Sequence, residues 1–451
     1  MTTPTARPFF SSIPRFRSGT DSPRAFLERC LDSVAEFEPT VGAFVDLGVE
    51  AAQAAADESS ARWRAGAPLS RIDGMPIGIK DIIETADMPT QCGSPVFEGH
   101  RSGRDSATVI ALRQAGAIIL GKTVTTEFAG PVPRGTKNPW DPRRTPGGSS
   151  SGSAAAVAAG MVPVALGTQV IGSILRPASY CGAFAFKPSV GAINRSGSHD
   201  FCSQSVHGPI AASLEDAWIV TREIADRAGG DPGYPGLYGP SAPPAPVKPK
   251  RIALLETAGW QIADPQARAA IESAAERIAA AGVQIVRRTD HHQVDEVERA
   301  IARAGKASIG IVSFETVWPL NSYRARSSEK LSTVLSDRLA GAEKMTLDDY
   351  RALLSERDEA RAIYAELTAD CDGAITLSAP GLAPLGLDST GSTIFNTPAS
   401  FLGVPAFNLP VFAIDGLPLG LQTIGYANAD AELFSLSAWI LDLLSNERLQ
   451  S

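Results

Sequence analysis

The chain has 451 residues, 44% of them hydrophobic and 20% charged, enough apolar material for a large buried core. Its 41 basic and 49 acidic residues give a formal charge of −8, with no basic excess to neutralise phosphates, which argues against a nucleic-acid partner. Five scattered cysteines form no CxxC pair and no zinc spacing, and no apolar run reaches the ~18 residues of a membrane span, so the expectation is a reduced cytoplasmic chain without membrane contact, metal or other cofactor.

Residues 22–65 carry helical periodicity, with Phe26, Leu27, Cys30, Leu31 and Val34 on one face and Asp21-Ser22 before Pro23 as a helix start. Residues 77–83 read as a short buried strand, 106–115 as a helix and 117–120 as the next strand. A Gly/Ser loop at 147–153 runs into an Ala-rich stretch, 153–160, made of good helix formers. Residues 239–250 form a Pro-rich connector that suits a domain boundary and a surface loop equally. Beyond it, 252–255 reads as a strand, 265–281 as an amphipathic helix, and 298–370 as mostly helical. Strand-like pieces return at 373–377, 406–411 and 420–424. Strands alternating with helices imply a layered α/β sheet.

Three segments concentrate the chemistry. Gly78-Ile-Lys-Asp81 sets Lys80 in an apolar stretch. Thr145-Pro-Gly-Gly-Ser-Ser-Ser-Gly-Ser153 contains Ser149. Gly167-Thr-Gln-Val-Ile-Gly-Ser-Ile-Leu-Arg-Pro177 contains Ser173, 24 positions after Ser149. This order and spacing resemble the amidase signature family, which hydrolyses C–N bonds with a Ser–Ser–Lys triad and no metal. The resemblance extends to Leu120-Gly-Lys-Thr, Glu127-Phe-Ala129, Asn138-Pro-Trp140, Cys181-Gly, Phe186-Lys-Pro188 and the segment from Gly416 to Gly425.

Amide hydrolysis needs a nucleophile, a base, oxyanion donors and an acid for the leaving nitrogen. The resemblance implies that Ser173 is the nucleophile, that Ser149 relays its proton after a cis peptide bond, and that Lys80 is the base. It places the N–H groups of Val170, Ile171, Gly172 and Ser173 at the oxyanion. A lysine serves as base only when its pKa falls well below ~10.4, and burial has that effect. The resemblance also implies a three-layer α/β/α fold around a mixed twisted sheet, in one domain over 1–451. Its signature core would span about 70–225, and a helical substrate entrance about 298–370. Ala129, Gly130 and Ser150 would bind substrate. Trp318, with Phe314, Val317, Leu320 and Tyr323, would line an apolar entrance or be ordinary helix core.

Three positions depart from the family pattern. Gln169 stands where Asp is common, Ile171 where Gly is common, and Leu175 where Arg is common. The acidic and basic positions are both neutral here, so no charge is stranded. A β-branched residue at 171 predicts a negative φ.

Two other motifs compete. Residues 116–123 fit the nucleotide-binding pattern GxxxxGKT, but their apolar Ala-Ile-Ile-Leu is itself strand-like and makes a poor phosphate cradle. Residues 148–152 fit the GxSxG elbow centred on Ser150, with His199, Asp200 and His291 downstream. An elbow needs a strand before it, and 138–146 reads as loop. The expectation is therefore an amidase for a neutral small amide or carbamate, aryl types favoured, working as a monomer or homodimer. The family alternative is the glutamine-hydrolysing subunit of a tRNA transamidase, and Ile171 keeps an inactive binding homologue open.

Overall fold

Along the strands, neighbouring apolar residues point to opposite faces, so one sheet carries two cores. Val164 and Leu166 join one core and Ala165 the other; Ile252 and Leu254 are separated from Ala253 in the same way. The computed structural model describes residues 2–445. Its strands are β1 (Phe44–Leu47), β2 (Pro76–Lys80), β3 (Ile118–Thr123), β4 (Val164–Gln169), β5 (Phe184–Lys187), β6 (Val206–Ala211), β7 (Arg251–Leu254), β8 (Gln284–Val286), β9 (Gly373–Leu377), β10 (Ala406–Ile414) and β11 (Leu417–Ile424). They pair in the order β1-β3-β2-β4-β6-β5-β10-β11-β9-β7-β8. The pairs β2–β3, β2–β4, β7–β8 and β7–β9 are parallel and the others antiparallel, so the sheet is mixed.

Helices Ala107–Gln114, Leu214–Ala228, Pro265–Ala280 and Asp430–Ser445 cover one face through Leu112, Trp218, Ile278 and Leu436. Helices Ser151–Ala158, Leu175–Cys181, Ala304–Glu315 and Leu347–Glu366 cover the other through Val157, Ala178, Ile311 and Tyr364. The result is the expected α/β/α layering. Strands from both sides of the 239–250 connector pair directly, β5 with β10. There Phe186 stacks on Phe407 with ring centroids 4.2 Å apart, a contact worth about 0.5–1.5 kcal/mol beyond its buried area.

Several boundaries differ from the sequence reading. The periodic stretch 22–65 is two helices, Pro23–Val41 and Val49–Arg64, with edge strand β1 between them. Ser22 caps the first, accepting from Ala25 N. β3 runs on through Gly121-Lys-Thr123, because a lysine with a buried counter-charge continues a strand as well as an apolar residue does. Lys122 Nζ lies 3.1 Å from Asp81 Oδ1, and both side chains are fully enclosed. The GKT lysine is thus an internal ion pair and cradles no phosphate.

Candidate active site

The candidate residues gather where parallel strands β2 and β4 end, the usual place for a site in a sheet of this kind. Ile79 pairs with Leu166, which sets Lys80, the last residue of β2, beside Thr168 near the end of β4. Lys80 is wholly buried. Its Nζ lies 2.8 Å from Ser149 Oγ and 2.8 Å from Thr168 Oγ1, with Thr168 O at 3.4 Å. Burial pulls its pKa from 10.5 down to about 7, against the Asp200 carboxylate, which acts to raise it. Asp200 is itself buried. Desolvation pushes its pKa up, opposed by Arg195, by a hydrogen bond from Ser205 and by Lys80.

Ser149 sits in the loop before helix Ser151–Ala158, and the Gly148–Ser149 peptide is cis. Arg176 holds this loop. Its guanidinium donates to Gly148 O at 2.6 Å and to Gly391 O, and burial lowers its pKa to about 10. Gly147 has φ +82°, and a Cβ there would stand 2.8 Å from Pro177 Cα, so the turn admits only glycine.

Ser173 lies in the turn between β4 and helix Leu175–Cys181, half-exposed to the cavity. Its carbonyl accepts from Ser150 N at 3.3 Å, which ties the two serine loops together. Among the described residues no direct hydrogen bond joins the Ser149 and Ser173 hydroxyls; both line one cavity of about 600 Å³. Ile171 stays out of the left-handed region, as a β-branched residue should. Gln169 takes up the space of an acidic residue without its charge. Its Oε1 accepts from Ile174 N at 2.8 Å and Leu175 N at 3.0 Å, and Leu175 packs into the core.

Ala129, Gly130, Val170, Ile171 and Ser173 line the cavity, and Gly172 is buried behind them. Two residues expected to bind substrate do not line this cavity. Ser150 is fully buried, its hydroxyl 3.4 Å from both the N and O of Thr168, so it faces β4 and not the cavity. It has no histidine partner among the described residues, and no strand precedes it at 138–146, as the elbow reading would require. Trp318 is 62% exposed. It stands in an adjoining outer groove with Phe314, Val317 and Tyr350, joined to the cavity through Phe201, which lines both. Leu320 and Tyr323 do reach the cavity, Tyr323 stacking on Phe128 at 4.8 Å.

No sequence motif marks Thr168, Asp200 or Arg338 for these roles. Arg338, on helix Thr333–Ala342, lines the cavity. Its Nε is buried without a partner, and among the described residues no carboxylate lies within ion-pair distance of it. Desolvation lowers its pKa.

The sequence model of the family described as Amidase matches residues 25–434. The chain belongs to this amidase family. It is 32% identical over 447 residues to a glutamyl-tRNA(Gln) amidotransferase subunit of Chloroflexus aggregans, covering 90% of each chain. Its fold is similar to a crystal structure of an amidase, with a TM-score of 0.81 and 26% identity over 96% of this chain and 99% of the other. It is also similar to native peptide amidase from Stenotrophomonas maltophilia, with a TM-score of 0.77 and 28% identity over 95% of each. Among the described residues of this amidase-family chain, no helix is long and apolar enough to cross a membrane.

Proposed function

We propose that this chain cleaves a C–N bond by acyl transfer to Ser173, acting as one functional unit over its continuous sheet, on an amide that presents a carboxylate to Arg338. The observation that carries the substrate class is the unpaired Arg338 guanidinium in the cavity that holds Ser149 and Ser173. Arg338 is half-buried with no counter-charge among the described residues, its Nε buried without a partner, and a substrate anion in the cavity would supply one with paired hydrogen bonds. A neutral aryl amide or carbamate would leave it unpaired, so the expectation of a neutral substrate is not carried forward.

In this reading Ser173 Oγ attacks the amide carbonyl and its proton passes through Ser149 Oγ to neutral Lys80 Nζ. The N–H groups of 170–173 receive the oxyanion. The proton returns through Ser149 to the leaving nitrogen, and the C–N bond breaks. Water then enters by the same relay and frees the acid and Ser173. The missing Ser149–Ser173 contact closes when substrate is bound, as catalytic hydrogen bonds commonly do.

The relatives support a second reading, in which the chain is the glutamine-hydrolysing component of a transamidase and works with partner proteins. Glutamine itself carries the carboxylate that Arg338 lacks, so the cavity is compatible with both. The test compares succinamic acid, butanamide, acetanilide, an aryl carbamate and glutamine. The acid amides should exceed butanamide in kcat/KM by at least about tenfold, and Arg338→Met should erase that preference. Equal rates for acid and neutral amides, unchanged in Arg338→Met, would overturn the substrate class. Glutamine preference together with a co-purifying partner would decide for the second reading.

A further inference from the structure

The loop 170–173 shows an asymmetry between its carbonyl and N–H groups. Every carbonyl is taken. Val170 O accepts from Gln204 Nε2 at 2.9 Å and Ile171 O from Ser400 Oγ at 2.9 Å. Gly172 O accepts from Arg176 N at 3.1 Å and Ser173 O from Ser150 N at 3.3 Å. Among the described residues, none of the four N–H groups finds an acceptor within the protein. These peptides are trans, so each C=O points opposite to the N–H of the next residue. Fixing Val170 O on Gln204 therefore turns the Ile171 N–H away from Gln204. Fixing Ile171 O on Ser400 turns the Gly172 N–H away from Ser400.

Gln169 completes the arrangement. It ends β4 immediately before the loop, and its Oε1 accepts from Ile174 N and Leu175 N just beyond it, so one side chain spans the loop. Its Nε2 donates to Ser400 Oγ at 3.0 Å. With that oxygen accepting from Gln169, the Ser400 hydroxyl proton is directed to Ile171 O. A carboxylate at 169 could not donate, and the Ser400 hydroxyl would turn toward it and release Ile171. Gln169, Ser400 and Gln204 are all fully buried and carry no charge.

We propose that Gln169, Ser400 and Gln204 are positioning residues that set the peptide planes of the oxyanion loop through neutral hydrogen bonds. The proposal rests on Ser173 acyl transfer and deepens it. It also gives Ile171 a role, since here the orientation is imposed from outside the loop and needs no glycine at that position.

The experiment measures kcat, KM and the affinity of a boronic acid analogue for Ser400→Ala, Ser400→Thr, Gln204→Glu and Gln169→Glu. The boronate forms a tetrahedral adduct and reports on the oxyanion site. Removing one oxyanion donor outright costs about 10²–10³ in kcat, and a donor present but misaligned should cost less, about 10–100-fold. Ser400→Ala, Gln204→Glu and Gln169→Glu should each lose about that much in kcat with KM nearly unchanged, and boronate affinity should fall by a similar factor. Ser400→Thr keeps the hydroxyl and should keep most of the rate. Parallel losses in kcat, KM and melting temperature, or normal boronate affinity in Ser400→Ala, would overturn the proposal. If Ser173→Ala remains active the acyl-transfer reading itself falls; if Ser173→Ala is inactive and Ser400→Ala is normal, only the positioning proposal falls.

Discussion

Lys80 should impose its own titration on the reaction. Only the neutral amine accepts the serine proton, and burial brings its pKa from 10.5 to about 7. At that value roughly a tenth of the protein holds neutral Lys80 at pH 6 and roughly nine tenths at pH 8. For an amide whose charge is constant over this range, kcat/KM should rise about tenfold from pH 6 to pH 8 and then level off. An ordinary lysine at 10.5 would give about a hundredfold rise without levelling. Asp200 supplies the field that raises Lys80, so Asp200→Asn should move the inflection to lower pH. The assay is steady-state product release in overlapping buffers at constant ionic strength. A profile with no inflection between about pH 6 and 9, or an Asp200→Asn inflection moved upward, would show that Lys80 is not the titrating base.

Stability should follow the same group. The folded pKa lies below the unfolded one, so between about 7 and 10.5 the unfolded chain holds a proton that native Lys80 lacks. The native state is therefore penalised in full below about 7 and relieved as pH rises toward 10.5, and melting temperatures of Lys80→Met should lack this rise. Lys80→Arg should lose nearly all activity at every usable pH, because guanidinium does not give up its proton; a working variant would remove Lys80 as base. Gly152→Ala should inactivate and lower the melting temperature by several degrees, since its methyl would stand 2.1 Å from Ala43 O and 2.4 Å from Val124 N, both backbone; unchanged calorimetry would contradict this. Trp318→Ala should leave the melting temperature unchanged and raise KM only for amides long enough to reach the outer groove, with equal KM changes for small amides counting against it.

The candidate reacting groups were legible in the sequence because they are local to two loops and one strand end. Lys80, Ser149 and Ser173 sit in short segments whose glycines, serines and apolar flanks narrow their geometry. The groups proposed to tune them come from distant parts of the chain. Asp200 follows an irregular turn, Arg338 belongs to a helix some 165 residues beyond Ser173, and Ser400 belongs to another helix. No periodicity links such positions, since contact across a sheet depends on strand order. Lys122 and Ser150 show the same dependence on strand order. Each fits a functional pattern by spacing, yet Lys122 turns to Asp81 and Ser150 to the Thr168 backbone, partners that become visible only when β2, β3 and β4 lie side by side. The helix boundaries near 41–49 failed because β1 is a short edge strand with no fully buried residue and little alternation to read.

Ser173 as the attacking group is tested most directly by trapping. A serine-directed fluorophosphonate should add one equivalent of mass to the intact protein, and peptide mapping should place it on Ser173. Ser173→Ala should take up no label and lose at least several powers of ten in rate. Label on Ser150, or an active Ser173→Ala, would remove Ser173 as the nucleophile.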